Sequence, residues 1–227
     1  KVIVNSEKFK NEIKNTFNVK AKRIYNPLDK EIVSSDLHVE AARANNSGDY
    51  KTAFQIWLSL AKDDGHCTAE YNLGRLYDGG HGVPQSISEA IYWYKSSALK
   101  GHPEAQLNLG TIYLKGNRVA RDLQKAKVFL SMASLQGCAS AQHNLGLMFC
   151  NKEFLPIDIE EAYIWLTLSF NSGFKEAKSK ATFLKKLLSP LKLQKAKYDI
   201  SLREKMICEN IDTLNEARKT QQTAKDC

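Results

Sequence analysis

Imidazole and thiol groups recur every 36 residues in this chain, and these are the side chains that zinc prefers. His66, His102 and Cys138 occupy corresponding positions of three successive segments. Corresponding positions of stacked helix pairs lie about 8–10 Å apart, whereas zinc ligands must all reach one ion at about 2.0–2.3 Å. We therefore interpret the series as positional repetition, and we predict neither a metal site nor a cofactor.

Nucleophilic chemistry has no recognisable motif either. The five cysteines are irregularly spaced and include no C-x-x-C pair, which fits neither a zinc site nor a disulfide framework; they are Cys67, Cys138, Cys150, Cys208 and Cys227. There is no G-x-S-x-G sequence and no P-loop, and the Gly-rich residues 79–82 follow no strand. We predict that the chain is not an enzyme.

A second series consists of amides. Asn72, Asn108 and Asn144 each stand directly before a Leu-Gly pair. An amide donates and accepts hydrogen bonds at once, which suits the backbone of an extended peptide. The alternative is a scaffold role, in which each amide bonds a neighbouring helix, and the sequence leaves both open.

These side chains are carried by three abutting blocks, residues 67–102, 103–138 and 139–174. Each block has A-x-x-N-L-G near its start, E-A or K-A in its second half and Gly as its penultimate residue. Such self-similarity at a fixed period is the signature of a repeat architecture.

Each block predicts two helices. In the first, an apolar stripe runs through Ala69, Leu73 and Tyr77, and it recurs in the next two blocks. The Gly inside this helix (Gly74 in the first block) costs about 1 kcal/mol relative to Ala, so we expect close approach of the partner helix there.

The second helix of each block begins near a residue that can cap it, namely Ser88, Asp122 or Asp158. Small residues of this helix should face the partner helix, and the tryptophans, Trp57, Trp93 and Trp165, should pack in the core. The terminal Gly of each block is expected to end the helix.

The flanks are less regular. Residues 36–66 are interpreted as a degenerate first repeat, 175–206 as capping helices that end near Met206, and 207–227 as a polar tail, while residues 1–35 form a flank without clear period.

The net charge of +8 is concentrated in these flanks. Residues 31–174 hold 12 Lys and Arg against 15 Asp and Glu, which argues against specific nucleic-acid binding. No apolar run reaches the length that spans a membrane.

The motifs A-x-x-N-L-G-x-x-Y, G-x-G-V and E-A-x-x-W resemble the Sel-1-like repeat family, a relative of the tetratricopeptide repeat. Ala69 to Gly101 matches this pattern closely. The third block is looser, because Phe149 replaces Tyr and residues 151–155 replace the Gly-rich loop. The resemblance covers about residues 36–200, and residues 181–196 with their Leu-Ser-Pro turn are similar to a C-terminal cap of the family.

The resemblance implies an all-α fold, a right-handed α-solenoid of about four antiparallel helix pairs with caps at both ends. It also places the Asn position of each first helix on a concave groove. We expect the groove to bind a partner through this set: Tyr71, Asn72, Arg75, Asp78, Leu107, Asn108, Thr111, His143, Asn144 and Leu147.

The function implied is a non-catalytic protein–protein interaction module, monomeric, that holds a protein or peptide partner. One alternative is an immunity protein that neutralises a bacterial toxin of the type VI secretion system, which would bind a folded toxin. Another is weak β-lactam hydrolysis, described for cysteine-rich relatives whose cysteine pairs this chain lacks. The chain begins at Lys1 rather than Met, so the evidence of compartment that a signal peptide would carry is missing, and we prefer the periplasm slightly to the cytoplasm.

Overall fold

A computed structural model describes residues 27–63, 65–154 and 156–223. These residues form ten helices, and no strand occurs among them. The helices are α1 (Pro27–Ser47), α2 (Tyr50–Asp63), α3 (Cys67–Gly79), α4 (Ile87–Leu99), α5 (Pro103–Lys115), α6 (Leu123–Leu135), α7 (Ala139–Cys150), α8 (Ile159–Asn171), α9 (Ala177–Lys185) and α10 (Pro190–Thr223). The expected all-α solenoid is confirmed.

Consecutive helices pack in pairs, and each pair packs on the next. α3 contacts α4, α5 contacts α6 and α7 contacts α8, while α4 and α6 also contact the first helix of the following pair. The predicted stripes form the interior, because Ala69 and Leu73 are fully buried, as are the corresponding Ala105 and Leu109. The repeating pattern of the sequence therefore accounts directly for the core.

The glycine inside each first helix marks the closest helix–helix contact, as expected. A Cβ atom on Gly74 would lie 2.6 Å from Cδ1 of Tyr94. A Cβ atom on Gly110 would lie 2.8 Å from Cγ of Leu130, and one on Gly146 would lie 2.8 Å from Cγ of Leu166. These distances are too short for carbon atoms, so the second helix can approach only where the first has no side chain.

The expected caps of the second helices are found in two of three cases. Asp122 accepts a hydrogen bond from the backbone N–H of Lys125 at 2.9 Å, and Asp158 accepts one from that of Glu161 at 3.0 Å. The first case is a correction, because α4 is capped by Ser86 rather than Ser88. Ser86 accepts from the Glu89 amide, as expected of an N-cap serine, while its own backbone N–H donates to the Tyr77 carbonyl.

Two boundaries differ from the sequence interpretation. α1 begins at Pro27, inside the segment assigned to the flank, and proline is favoured at the first position of a helix. α10 continues to Thr223, well beyond the expected end near Met206. No Gly or Pro follows Pro190, so nothing interrupts the helix. The remainder of the flank, residues 1–26, and residues 224–227 of the tail, with Cys227, lie outside the described residues.

α10 covers part of the layer of second helices, which is formed by the second helix of each repeat, namely α4, α6 and α8. Ile164 of α8 is 1% exposed, whereas Tyr92 and Val128, at the corresponding positions of α4 and α6, are 63% and 55% exposed. The difference arises because α10 packs on α8, where its Ala196 and Ile200 enter the same apolar cluster as Ile164.

A charged contact fixes the orientation of α10. Arg203 donates two hydrogen bonds to the Glu161 carboxylate, at 2.9 and 2.6 Å, and its Cζ atom lies 4.7 Å from the centroid of the Trp165 ring. Trp165 donates its indole N–H to the same carboxylate at 3.0 Å. The helix is therefore held by a bidentate ion pair as well as by apolar burial. Within the described part of the chain, no helix combines the length and hydropathy that crossing a bilayer requires.

Candidate functional site

The ten residues predicted to bind a partner all lie on first helices of the three central pairs. Four are on α3, three on α5 and three on α7. Four of the ten, Arg75, Asp78, Asn108 and Thr111, line two adjoining cavities near the C-terminal ends of α3 and α5. The structure thus brings together four of the seven predicted residues from the first two repeats, and none of the three from the third.

The two cavities share three lining residues and form one open depression, which we call the charged trough. The first cavity has a volume of about 370 Å³ and the second about 260 Å³. The residues that line both are Asp78, Asn108 and Arg118. Asn45 of α1 and His81 of the loop after α3 add to the first cavity. Lys115, the last residue of α5, adds to the second.

An ion pair occupies the middle of the charged trough. The guanidinium of Arg118 contacts Oδ1 of Asp78, and the Tyr94 hydroxyl donates to Oδ2 at 3.4 Å. Gln85 donates to the backbone carbonyl of Asp78 at 2.7 Å. Both members of the ion pair are partly exposed, so water and ligands can reach them.

Tyr94 forms the floor of the charged trough. Its side chain is 1% exposed and packs against Gly74 of α3. Burial raises the pKa of the Tyr94 hydroxyl, and the nearby negative charge of Asp78 raises it further. Tyr94 therefore stays protonated at neutral pH and acts as a hydrogen-bond donor toward Asp78.

The three asparagines of the predicted series have different surroundings. Asn72 donates to the Thr68 carbonyl of its own helix at 3.0 Å. Asn108 lies near the hydroxyls of Tyr71 and Tyr94 from the preceding repeat, where its amide partly offsets the rise in their pKa values. Asn144 donates to the hydroxyl of Thr111 at 3.5 Å. Asn72 and Asn144 thus donate to partners within the protein, while Asn108 lines both cavities.

The other predicted residues take part in packing between repeats. The Tyr71 ring stacks on His102 with 4.5 Å between centroids, and the His143 ring stacks on Phe174 at 4.6 Å. Burial lowers the pKa of His143, as does the charge of Lys180. Leu107 and Leu147 are partly buried against the C-terminal core. None of these four lines the charged trough.

Sequence analysis missed several residues that line the charged trough, chiefly Tyr94, Lys115 and Arg118. Tyr94 follows the period of the second helices, which is typical of an ordinary core residue. Arg118 lies in the loop after α5, at the position that corresponds to Gly82 in the preceding repeat. A charged residue in place of a loop glycine is the signal that could have identified it.

The histidine and cysteine series that suggested metal chemistry is distributed along the solenoid. His66, His102 and Cys138 each precede the first turn of a first helix, namely α3, α5 and α7. His66 contacts the His38 ring, with centroids 5.0 Å apart, whereas His102 stacks on Tyr71. Among the described residues, no three His, Cys, Asp or Glu side chains converge to form a metal site.

Comparison with known proteins gives a consistent result for the repeats. The Sel1 repeat family matches residues 68–102, 103–138 and 139–174. A Sel1 repeat protein from Oxalobacter formigenes is 32% identical over 61% of this chain, with a TM-score of 0.54. The structure of c5321, a protective antigen present in uropathogenic Escherichia coli strains and displaying an SLR fold, shares 24% identity over 90% of this chain, with a TM-score of 0.64.

The chain spans 39% and 46% of the length of these two solved structures. No curated protein matches it significantly. The second structure supports the fold alone, because its identity with this chain is low. The first adds sequence similarity over 61% of this chain.

Proposed function

This chain is a Sel1-like repeat protein, and we propose that it is a non-catalytic module that binds a segment of a partner protein in the charged trough. The family generally serves as a scaffold for protein interactions. The finer statement, that the partner binds along the first helices of the central repeats, is supported by one observation. Residues of two successive repeats and their loops meet there in an open polar depression.

The chemistry of the charged trough suits a peptide backbone. Asn108 lines both cavities, and an amide has two donor hydrogens and two acceptor lone pairs. Its contacts with Tyr71 and Tyr94 leave part of this capacity for a ligand. Thr111 adds a hydroxyl in the second cavity. A backbone in the charged trough could therefore exchange its hydrogen bonds with water for hydrogen bonds with side chains.

The position of these groups is rigid, which favours binding. Tyr94 is buried beneath them, and α3 and α5 are anchored by fully buried leucines, Leu73 and Leu109. A surface that is already ordered loses little conformational entropy when a partner binds. The proposed mechanism is the display of preorganised side chains without covalent chemistry.

Substitution of Arg75 by Glu tests the proposal directly. Arg75 is exposed and lines the first cavity, so we expect Arg75→Glu to reduce retention of a partner at least tenfold without changing helicity. The measurement is affinity capture from the native lysate, followed by a binding titration with the retained protein. Circular dichroism reports whether the fold is intact.

Lys95→Glu provides the matched control, because Lys95 is equally exposed but lies on α4 and lines neither cavity. This variant should retain the partner like the wild type. Equal retention by the wild type and Arg75→Glu would contradict the proposal. Asn108→Ala should also weaken binding, although it removes the contacts with Tyr71 and Tyr94 as well.

A further inference from the structure

The charged trough has an excess of positive charge. Its lining residues include Arg75, Lys115 and Arg118 as cations and Asp78 as an anion. Arg118 and Asp78 neutralise each other, so two positive charges remain. This sign is opposite to that of the surrounding segment, because residues 31–174 hold more Asp and Glu than Lys and Arg.

Arg75 and Lys115 lie on either side of the central ion pair, one in each cavity. Within the described part of the chain, neither side chain has a carboxylate at ion-pair distance, in contrast to Arg118. The Arg75 guanidinium lies over the Tyr71 ring, with 5.9 Å between Cζ and the ring centroid. This contact orients the side chain but leaves its charge uncompensated.

A purely structural explanation accounts for part of this pattern. Lys115 is in the last turn of α5, where positive charge is stabilised by the helix dipole, whereas Arg75 lies before the last turn of α3. The helix dipole explains only why a positive charge is favoured at Lys115. It does not explain why each cation lines a cavity together with Arg118 and Asn108.

We propose that the charged trough selects an acidic peptide segment of the partner protein. One carboxylate of the segment pairs with Arg75 in the first cavity and another with Lys115 in the second, on either side of the Asp78–Arg118 pair. Arg118 uses one of its five N–H donors on Asp78, which leaves other donors for the ligand. This inference rests on the proposed function, since it specifies the chemistry of the segment that the same site binds.

Selection from a phage-displayed library of random 12-residue peptides tests the inference without knowledge of the natural partner. Peptides retained by the wild type should contain at least threefold more Asp and Glu than the library. The double variant Arg75→Glu/Lys115→Glu should reverse the preference and retain peptides enriched in Lys and Arg. Binding of single selected peptides should weaken as salt rises, because exposed charges are screened.

Lys95→Glu/Lys186→Glu is the control, since it changes the net charge equally at exposed positions outside the charged trough. It should keep the acidic preference of the wild type. The inference is overturned if no acidic peptides are selected, or if the control variant reverses the preference as the trough variant does. If no acidic peptides are selected but Arg75→Glu still loses the native partner, the inferred preference for acidic segments is wrong and the proposed function stands.

Discussion

Truncation after Ser189, which removes α10, should destabilise the third repeat by about 3–5 kcal/mol. Ile200 and Ile207 of α10 are 7% exposed, and without the helix Ile164 and Trp165 of α8 would also face water. Complete burial of one large apolar side chain contributes about 1.5–3 kcal/mol, and the ordering entropy of α10 offsets part of the sum. The loss of the Arg203–Glu161 ion pair adds to the effect.

Hydrogen exchange followed by mass spectrometry measures which helices lose stability when α10 is removed. In a solenoid each repeat contacts mainly its neighbours, so amides of α7 and α8 should exchange faster while those of α3 and α4 remain protected. Truncation after Glu216 is the control, because it keeps Arg203, Ile207 and Ile211, and it should change exchange little. Uniform acceleration along the chain, or none in α8, would show that α10 does not cap the third repeat.

Gly74→Ala should have the second large effect, a loss of up to about 2 kcal/mol of stability together with weaker partner binding. The added methyl group would lie 2.6–2.7 Å from two ring atoms of Tyr94. Overpacking of this kind costs about 1–3 kcal/mol, and the better helix propensity of Ala returns about 1 kcal/mol of it. Displacement of Tyr94 would also shift its contact with Asp78.

Gly146→Ala separates the two consequences. Its methyl group would lie 2.8 Å from Cγ of Leu166, so the cost in stability should be similar. The site is remote from the charged trough, so partner binding should be unaffected in conditions where the variant is folded. Urea denaturation measures the free energy of unfolding, and titration with the captured partner measures binding. An increase in stability on Gly74→Ala would mean that the packing at Tyr94 is looser than described.

The 36-residue period is enough to predict most of the fold, because it reports which side chains must be buried in every repeat. Gly74 is an example, since a costly glycine at a fixed position of a repeated helix by itself indicates close packing against a neighbour. The extent of α10 was harder to predict. Its buried Ile200 and Ile207 belong to no repeat, although the absence of Gly and Pro after Pro190 was a usable signal.

The candidate site was only partly predictable, for a different physical reason. Asp78 and Asn108 are on helices, where the period gives their direction, and both line the charged trough. Arg118 is on a loop, where no period applies, and its ion pair with Asp78 depends on the stacking of two repeats. The three asparagines are equivalent in the sequence pattern. Their contacts differ because the preceding repeat places the hydroxyls of Tyr71 and Tyr94 near Asn108 and that of Thr111 near Asn144, whereas Asn72 donates to a backbone carbonyl of its own helix.

The central claim, that the partner binds in the charged trough, is tested most directly by site-specific photo-crosslinking. A photoreactive phenylalanine analogue is placed at Thr111, inside the second cavity, or at Tyr92, on the exposed face of α4, and each protein is irradiated with the captured partner. We predict that position 111 crosslinks to one contiguous segment of the partner and that position 92 does not. Crosslinks from position 92 alone would place the partner on the layer of second helices and contradict the proposed site.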